Sequence, residues 1–485
     1  MEYVVTPQQA KEIDKYMIEE LSIPSILLME QAASALASEA ESYCTRSEQI
    51  IVVCGKGNNG GDGLAAARIL MIHGDNVHCI VADEPSTPDA KANAALLQKL
   101  GIIEPASFDI DIISKYENAS LIIDALFGTG LKSSPKGIYK KLIDDMNRHS
   151  AKVISADIPS GIFGNTGKGE IAVYADTTIA FQYPKPGHFL FPGREHTGTL
   201  KVAKIGISGT IKPSNTIYID DCSLPERKKN TNKGNYGKLG IIAGSKGMSG
   251  AAVMSAKAAI ASGCGLTRVG CIEYTANIIQ CSVPEATVKI IGDEYIDEAK
   301  ALSFADSALA IGPGLGTDEH IERMLRALLP LEYPKVIDAD ALNVIADKND
   351  LLLSAKNAII TPHPKEFARL TKLDISEILA DPIGVAEDFA LTYHVVVLLK
   401  GATTIITDGT RNAIVTSGCP GMAKGGSGDV LTGVIGALIA QGHGLFEAGC
   451  MGAFFCGKAG ESAAIEKDDY SMTPIDTIKH LKFVR

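Results

Sequence analysis

The chain contains no Trp among its 485 residues, and none of its ten Cys residues forms a C-x-x-C pair. The Cys residues are scattered from Cys44 to Cys456 with no His at ligand spacing, so neither a disulfide framework nor a zinc site is supported. Basic residues are also in the minority, with 46 Lys and Arg against 57 Asp and Glu. The resulting net charge of −11 argues against nucleic acid or an anionic membrane as a partner.

Long apolar runs are absent as well. No stretch has the uninterrupted apolar length that a membrane-spanning helix needs, and "MEYVVTPQQAKEIDKY" lacks the basic flank and apolar core of a signal peptide. We therefore expect a cytoplasmic protein with no membrane partner. The hydrophobic content of 46% and charged content of 21% are typical of a globular chain.

Strand-like apolar runs alternate with helix-like segments in both halves of the chain. Examples are "QIIVVC" and "SLIIDA" in the first half, and "KLGIIAG" and "HVVVLLK" in the second. This alternation is typical of βαβ units and predicts two α/β domains built on parallel sheets. Between about residues 212 and 233 the pattern lapses into a polar segment with Pro, Asn and a basic run. We predict a boundary there, with domains at 1–212 and 226–485.

The glycine-rich stretch "GKGNNGGDG", residues 55–63, follows the first strand and contains a literal G-x-G-x-x-G. This spacing suggests a dinucleotide-binding loop, because a helix-like pattern follows it and Asp83 ends the next strand. Asn58, Asn59 and Asp62 do not suit that interpretation, since a pyrophosphate needs bare backbone N–H groups and no added negative charge.

Three polar loops of the first half each follow a strand, which places them at the carboxyl edge of one parallel sheet. Asn59 follows the first strand, Asp124 ends the strand "SLIID", and Asp157 with Ser160 follows "KVISA". Amide, hydroxyl and carboxylate oxygens suit a hard cation. The alternative is that these residues are helix caps and turn formers.

The ordered set "GKGNNGGDG", "DALFGTG", "ADIPSG" and "YPKPGHFLFPG" resembles the NAD(P)H-hydrate epimerase domain, a Rossmann-like three-layer α/β/α fold that interconverts the R and S forms of hydrated nicotinamide cofactor. The resemblance implies that the nucleotide is the substrate and that no hydride transfer occurs. It also implies a potassium ion held by Asn59, Asp124 and Ser160, and we hypothesise that Asp157 is the acid/base group. The positions implied to contact the hydrated cofactor are Asn58, Asn59, Gly60, Gly61, Asp62, Gly128, Thr129, Gly130, Leu131, Lys132, Ser133, Ser134 and Asp157.

The strongest signal of the second half is "MAKGGSGDVLTG", residues 422–433. Its glycines leave backbone N–H groups open at the start of a helix, where the helix dipole favours an anion. Asp429 lies in the first turn, either as a helix cap or as a base toward a hydroxyl group being phosphorylated. The three glycines and the preceding Lys424 favour the base.

Other loops of the second half are expected at the same edge of the sheet. His363 lies between Pro362 and Pro364, which favours a ligand-facing loop over a core position and leaves a surface turn as the alternative. Lys400 ends a strand and is either a nucleotide contact or a solvated lysine.

These motifs, together with "GPGLG", "DADALN", "TPHPKEF" and "KGATT", resemble the ribokinase-like superfamily, in particular its ADP- or ATP-dependent NAD(P)H-hydrate dehydratase branch. The resemblance implies phosphorylation of the substrate hydroxyl at C6, loss of phosphate to restore NAD(P)H, Mg²⁺ with the nucleotide, and a homo-oligomer. It places the hydrated cofactor at Ala251, Gly316, His363 and Asp429, and the adenine nucleotide at Lys400, Gly401, Ala402, Thr403, Thr404 and Gly428.

Two alternatives stay open from the sequence. A vitamin or sugar kinase would use the same anion site and the same base, but it would not need the fused first half. A non-catalytic binding module is the second alternative, and the retained Asn59, Asp124, Asp157 and Ser160 argue against it. We expect NADHX and NADPHX, the hydrated forms of NADH and NADPH, as the substrates.

Overall fold

The structure is a computed structural model that describes residues 2–106, 113–206 and 214–483. The chain divides into two compact units, Glu2–Asn215 and Thr216–Arg485. The first predicted domain ends at residue 212, which lies outside the described residues. None of the described helices is long and apolar enough to cross a membrane.

The first unit alternates strands and helices. Its strands are β1 Glu2–Val4, β2 Gln49–Cys54, β3 Asn76–Val81, β4 Ile103–Pro105, β5 Leu121–Ala125, β6 Lys152–Ala156, β7 Thr177–Phe181 and β8 Thr199–Ala203. Its helices are α1 Pro7–Lys15, α2 Ser25–Tyr43, α3 Asn58–His73, α4 Pro88–Lys99, α5 Ile138–Arg148 and α6 Gly193–Thr197. A π-helical turn, Tyr16–Glu20, continues α1, and short 3₁₀ turns occupy Ser114–Tyr116 and Pro186–His188.

The sheet of this unit has the order β4-β3-β2-β5-β6-β7-β8, and its strand pairs are parallel. The order reverses between β2 and β5, which makes their carboxyl ends the switch point where ligands bind in such sheets. Successive residues of β2 face opposite ways: Ile50 and Val52 pack with α2 and α3, whereas Ile51 and Val53 pack with α5. The predicted three-layer α/β/α fold is thus confirmed.

The second unit contains β9 Thr216–Ile219, β10 Lys238–Ile242, β11 Leu266–Ile272, β12 Thr287–Gly292, β13 Ala308–Ile311, β14 Lys335–Ile337, β15 Ala358–Ile360, β16 Val396–Leu399, β17 Thr404–Thr407 and β18 Asn412–Val415. Its helices are α7 Ser249–Ala261, α8 Glu273–Ser282, α9 Glu298–Phe304, α10 Glu319–Leu328, α11 Asp340–Ala346, α12 Asn349–Leu353, α13 Pro364–Thr371, α14 Ile375–Ile378, α15 Pro382–Tyr393, α16 Ser427–Ala440, α17 Leu445–Lys467 and α18 Pro474–Lys479. Short 3₁₀ turns lie at Lys233–Tyr236 and Pro420–Met422.

These strands follow the order β9-β18-β17-β16-β15-β14-β13-β10-β11-β12, with a switch point between β10 and β13. The sheet is mixed, because β17 runs antiparallel to both β16 and β18. The sequence pattern predicted parallel strands throughout and missed this hairpin. Its turn is set by Asp408, whose Oδ1 accepts hydrogen bonds from the backbone N–H groups of Thr410 at 2.9 Å and Arg411 at 2.8 Å. Strand β9 also lies in the segment that the sequence pattern assigned to the linker.

Helix α16 is buried along 430–439 and packs on the sheet together with α7 and α17. A Cβ at Gly433 would lie 2.2 Å from the carbonyl oxygen of Ser255, so the approach of α16 to α7 requires glycine there. This packing fixes the N-terminus of α16 at the carboxyl edge of the sheet.

Candidate active sites

Asp124 lies at the end of β5, at the switch point of the first sheet, and its side chain is fully buried. Its carboxylate accepts hydrogen bonds from Ser160 Oγ at 2.6 Å, Ser155 Oγ at 2.8 Å and the backbone N–H groups of Ser160 at 2.9 Å and Leu126 at 3.3 Å. Burial raises the pKa of Asp124, and these hydrogen bonds oppose the rise. All of these donors are neutral, so the described residues supply no positive charge to a buried carboxylate.

Asn59 and Phe127 complete a set of oxygen atoms around Asp124. Ser160 Oγ lies 3.3 Å from the Phe127 carbonyl oxygen, and a Cβ at Gly128 would lie 3.2 Å from Asn59 Oδ1. Asn59 Nδ2 is buried without a hydrogen-bond partner, which indicates a missing polar ligand beside it. The structure therefore joins Asp124 and Ser160 directly and places Asn59 against Gly128, the residue after Phe127. Their oxygens are of the type that suits a hard cation.

The glycines of the first loop serve packing more than ligand binding. A Cβ at Gly55 would lie 1.9 Å from the Leu126 carbonyl oxygen, and one at Gly60 would lie 1.8 Å from the Gly55 carbonyl oxygen. Gly57, by contrast, has open space around it at the start of α3. Residues 58–62 form the first turn of that helix, with Asn58 exposed and Gly60, Gly61 and Asp62 buried. The loop 128–134 after β5 is largely accessible and borders Asn59 through Gly128.

Asp157 follows β6 and forms a buried ion pair with Lys185. Its φ of +63° is unusual for a residue other than glycine and costs about 1–3 kcal/mol, which the surrounding contacts must offset. The backbone N–H of Phe181 donates to Asp157 Oδ1 at 3.2 Å. A strained backbone at a buried charged pair is typical of a functional site.

His188 forms hydrogen bonds with the backbone of both Asp157 and Lys185. Burial lowers the pKa of His188 to about 4, so the ring is neutral near pH 7. Its Nδ1 accepts the backbone N–H of Lys185 at 2.9 Å, which leaves the proton on Nε2 to donate to the Asp157 carbonyl oxygen at 2.9 Å. Sequence reasoning quoted the segment "YPKPGH" but missed the roles of Lys185 and His188; a Lys and a His in a proline-rich loop were the available signal.

Asp429 is the third residue of α16 in the second unit. The helix has no side-chain cap, since its N-cap is Gly426 with φ +101°, so Asp429 is not the cap that the sequence left open. Among the described residues the Asp429 carboxylate has no ion-pair partner. Burial and the nearby Asp338 and Asp340 raise the pKa of Asp429 to about 6, although Lys400 lowers it. A carboxylate of this kind exchanges a proton near neutral pH.

Lys400 is directed inward rather than into solvent. Its Nζ donates to Asp338 Oδ1 at 2.7 Å, and Thr432 Oγ1 donates to Asp338 Oδ2 at 2.7 Å. A Cβ at Gly428 would lie 3.4 Å from Lys400 Nζ and 3.5 Å from Asp338 Oδ2, so the glycine loop lies directly over this pair. The motif "DADALN" quoted from the sequence begins with Asp338, but sequence reasoning missed the hydrogen bond of Asp338 to Thr432, which lies 94 residues away.

His363 is the N-cap of α13, and its Nδ1 accepts the backbone N–H groups of Lys365 at 3.1 Å and Glu366 at 3.3 Å. Burial and the charges of Lys400 and Arg369 lower its pKa, so the ring is neutral with its proton on Nε2. Glu366 is buried and lies 4.0 Å from Lys400 Nζ, and burial raises its pKa.

The other predicted positions of the second unit lie on neighbouring loops. Ala251 is in the first turn of α7, and Gly316 has φ +82° with its N–H donating to Asp340 Oδ2 at 2.9 Å. Positions 401–404 connect β16 to β17 immediately after Lys400. Lys424, which the sequence analysis took as support for Asp429 as a base, instead anchors the glycine loop. Its Nζ donates to the carbonyl oxygens of Tyr470 at 2.6 Å and Met472 at 2.5 Å.

Each unit thus places acidic and lysine side chains at the carboxyl edge of a mainly parallel sheet, and the second unit adds an uncapped, glycine-rich helix N-terminus. These features define a two-domain α/β enzyme that acts on nucleotide-like substrates. The profile "NAD(P)H-hydrate dehydratase" matches residues 239–482, and "YjeF-related protein N-terminus" matches 25–187.

The bifunctional NAD(P)H-hydrate repair enzyme of Moorella thermoacetica is 34% identical to the chain and covers 99% of it and 96% of its own length. That of Escherichia coli is also 34% identical, over 94% and 88% of the two chains. A solved ADP/ATP-dependent NAD(P)H-hydrate dehydratase from Bacillus subtilis, co-crystallized with ATP/Mg²⁺, is 28% identical over 53% of this chain and 92% of its own, with a TM-score of 0.45. The chain belongs to the bifunctional NAD(P)H-hydrate repair enzymes, which confirms the family assigned from its sequence.

Proposed function

We propose that the first unit interconverts the R and S forms of NADHX and NADPHX, and that the second unit dehydrates the S form at the expense of ADP or ATP. The observation that carries this proposal is Asp429, a carboxylate without an ion-pair partner among the described residues, at an open helix N-terminus beside the Lys400–Asp338 pair. A base with a pKa of about 6 suits removal of a hydroxyl proton near neutral pH.

In the dehydration step, Asp429 takes the proton of the C6 hydroxyl group, and the hydroxyl oxygen attacks the terminal phosphorus of the nucleotide. The bond from that phosphorus to the bridging oxygen breaks, so AMP leaves from ADP or ADP leaves from ATP. The C6–O bond then breaks, phosphate leaves with the bonding electrons, and the neighbouring ring carbon loses a proton to restore the dihydronicotinamide. Backbone N–H groups at 425–428 and the dipole of α16 stabilise the transferring charge. Lys400, held by Asp338, and positions 401–404 bind the nucleotide, whereas Ala251, Gly316 and His363 contact the hydrated cofactor.

In the epimerisation step, Asp157 exchanges a proton with the oxygen on the hydrated carbon, C6. The C6–O bond breaks as the ring nitrogen lone pair forms C=N, and water adds again to either face to give the R or the S form, while Lys185 keeps the charge of Asp157 paired. The first turn of α3, with Asn58, Asn59 and Asp62, and the loop 128–134 hold the substrate. Burial raises the pKa of Asp62 well above its ordinary range, so this carboxyl group is a neutral donor.

Two ions belong to this proposal. Potassium fits the first unit, because Asp124 is a buried carboxylate whose hydrogen-bond donors are neutral and the Ser160 hydroxyl oxygen lies against it. In the second unit Mg²⁺ would accompany the nucleotide, and the buried carboxylate of Glu366, whose Oε1 lies 3.5 Å from His363 Nε2, would be the oxygen ligand that the chain offers. Mg²⁺ would neutralise phosphate charge. The homo-oligomer and the cytoplasmic location stay predictions from the sequence.

The test is to incubate the full chain with a mixture of R and S NADHX and either ADP or ATP, and to follow the recovery of dihydronicotinamide absorbance. The proposal expects complete recovery with at least one of the two nucleotides. Recovery limited to the S fraction would remove the epimerase role, and no recovery with either nucleotide would remove both. Phosphorylation of a vitamin or sugar alcohol without NADHX turnover would favour the kinase alternative.

A further inference from the structure

Asp157 occupies a tight turn at the carboxyl end of β6, and its backbone is held on both sides. Its φ of +63° lies in the left-handed region that favours glycine. Its N–H group donates to the Ile179 carbonyl oxygen of β7 at 2.8 Å, and its own carbonyl oxygen accepts Nε2–H of His188 at 2.9 Å. One backbone bond and one side-chain bond therefore hold the strained conformation at Asp157.

His188 links Asp157 to its ion-pair partner. Nδ1 of the ring accepts the backbone N–H of Lys185 at 2.9 Å, while Nε2 donates to the Asp157 carbonyl oxygen. The ring thus connects the backbones of the two residues whose side chains form the buried ion pair. We call this connection of Asp157, His188 and Lys185 the imidazole bridge.

The turn that carries His188 is fixed to the rest of the first unit. The N–H group of Gly187 donates to the Gly164 carbonyl oxygen at 2.8 Å, and a Cβ at Gly187 would lie 2.6 Å from the Phe163 carbonyl oxygen. The His188 residue itself is 2% exposed. Because the turn cannot shift without breaking these contacts, the ring is a fixed support for the bridge.

One of the two bonds of the bridge is local and the other is long-range. The bond to Lys185 spans three residues and belongs to the 3₁₀ turn Pro186–His188. The bond to Asp157 spans 31 residues and adds nothing to that turn. It satisfies the second ring nitrogen through the carbonyl group of the residue that we propose moves the proton.

The Asp157 carboxylate needs a defined direction for proton transfer. Its hydrogen-bond donors among the described residues, the Lys185 ammonium group and the backbone N–H of Phe181 at 3.2 Å, both contact Oδ1. This leaves Oδ2 for the substrate. A group that transfers a proton must lie within about 0.5 Å of its productive position, and rotation of the Asp157 backbone would move Oδ2 by more than that.

We propose that His188 is a positioning residue of the epimerase, which fixes the backbones of Asp157 and Lys185 and so directs Oδ2 of Asp157 toward the substrate. The ring is too buried to touch the substrate itself. Burial lowers the pKa of His188 to about 4, which keeps Nδ1 unprotonated and able to accept the Lys185 N–H near neutral pH. This inference rests on the proposed epimerase function of the first unit.

The test compares two substitutions that separate the two bonds. His188→Asn keeps an acceptor at the position of Nδ1 but is too short to reach the Asp157 carbonyl oxygen, whereas His188→Gln supplies an acceptor and a longer donor. The matched control is His196→Asn, because His196 is also buried in the first unit, at 7% exposed, and donates from Nδ1 to the Val173 carbonyl oxygen at 3.0 Å.

kcat and KM of R-to-S conversion of NADHX are measured in the full chain and normalised to the folded fraction given by thermal unfolding. Dehydration of pure S NADHX is the internal control. We expect His188→Asn to lower kcat by about 100-fold with KM within about threefold of the wild type, because a displaced carboxylate slows the chemical step without loosening the substrate. His188→Gln should keep roughly a tenth or more of the wild-type kcat, and His196→Asn should keep all of it.

Solution NMR supplies a second measurement that does not depend on activity. The ring nitrogens of His188, labelled with ¹⁵N and assigned by their loss in His188→Gln, should show an unprotonated Nδ1 and a protonated Nε2 from pH 5 to 8. A ring that takes up a second proton within this range would break the bridge and overturn the proposal.

A wild-type kcat in His188→Asn would also overturn it. So would equal losses of normalised kcat in His188→Asn and His196→Asn, which would make His188 a structural residue only. If His188→Asn does not fold, His188→Phe, which fills the space but makes neither bond, replaces it in the same comparison. If the wild type itself fails to convert the R form, the proposed epimerase function fails first, and the NMR measurement still tests the bridge.

Discussion

The two units use their site lysines differently. In the first unit Lys185 pairs with Asp157, the residue that we propose moves the proton. In the second unit Lys400 pairs with Asp338, so Asp429 remains without a pair and its pKa is raised to about 6. At the carboxyl edge of each sheet, therefore, Asp157 is a carboxylate paired with a lysine, whereas Asp429 is an unpaired carboxylate that changes its charge at a pH of about 6.

This difference matches the two reactions. A hydroxyl group attacking a phosphoryl group needs a base that accepts a proton for one step and releases it afterwards. Epimerisation needs a proton acceptor beside a proton donor, and a carboxylate held by an ammonium group supplies the acceptor. The comparison predicts that removing each lysine will affect its site in a different way.

The largest effect is expected at Asp429. Asp429→Asn should reduce dehydration of S NADHX by about 10²- to 10⁴-fold, because the base is lost while the anion site remains. Epimerisation by the same protein should stay within twofold of the wild type. A parallel loss of both activities would show that the two sites are not independent.

Lys185→Met should be the next most damaging change. It leaves Asp157 buried beside a strained backbone without its partner, which costs about 3–5 kcal/mol when a buried pair is broken. We expect a lower melting temperature of the first unit and loss of epimerisation, with dehydration retained. Lys15→Met, which removes an exposed pair with Glu19, is the matched control and should shift the melting temperature by roughly 1–2 °C or less, the effect of a surface pair. Equal losses in the two variants would contradict the account.

The pH dependence of dehydration should follow Asp429. The rate should fall about tenfold per pH unit as the pH drops below about 6, since the protonated form cannot act as a base. The effect on stability has the opposite sign. A folded pKa above the unfolded value means that this carboxyl group favours folding at low pH and progressively less as the pH rises through about 6.

Thermal unfolding of Asp429→Asn at two pH values checks this sign. The variant should melt above the wild type at pH 8, where the wild-type carboxylate is charged and buried, and the gain should shrink at pH 4. A variant that gains more at pH 4 than at pH 8 would rule out a raised pKa at Asp429.

The smallest effect is expected at Thr432. Thr432→Val keeps the shape but removes the 2.7 Å bond to Asp338, at a cost of about 1–2 kcal/mol for an unsatisfied buried acceptor. Dehydration should slow severalfold through loosening of Asp338 and Lys400. Thr371→Val, which removes a hydroxyl bond to the Phe367 carbonyl oxygen away from the site, should leave the rate unchanged. An equal loss of dehydration rate in Thr432→Val and Thr371→Val would show that the loss does not depend on the bond to Asp338.

Much of the fold could be predicted from sequence, because the spacing of apolar residues and the Gly, Pro and polar residues that end each element are local signals. The run "QIIVVC" matches β2, Gln49–Cys54, residue for residue. The antiparallel pairing of β17 with β16 and β18 was not predicted, because strand direction depends on the connecting turns, such as the one at Asp408 between β17 and β18, and not on the composition of the strands.

Site residues that directly follow strands could be predicted from sequence. Ion pairs between residues far apart in the chain, which determine the charge of these residues, could not. Lys185 lies 28 residues from Asp157, and Lys400 lies 62 residues from Asp338. No sequence spacing reveals such pairs. The literal G-x-G-x-x-G at the first loop suggested a phosphate cradle, but Gly55 and Gly60 are required by backbone contacts with Leu126 and with each other.

The central claim is that one chain holds two separable proton-transfer sites, and complementation tests it most directly. Asp157→Asn and Asp429→Asn are each incubated with pure R NADHX and the productive nucleotide, singly and as an equimolar mixture. The account predicts that neither variant alone restores NADH above the uncatalysed rate and that the mixture does, because one supplies S NADHX to the other. Recovery by Asp157→Asn alone, or no recovery by the mixture, would contradict it.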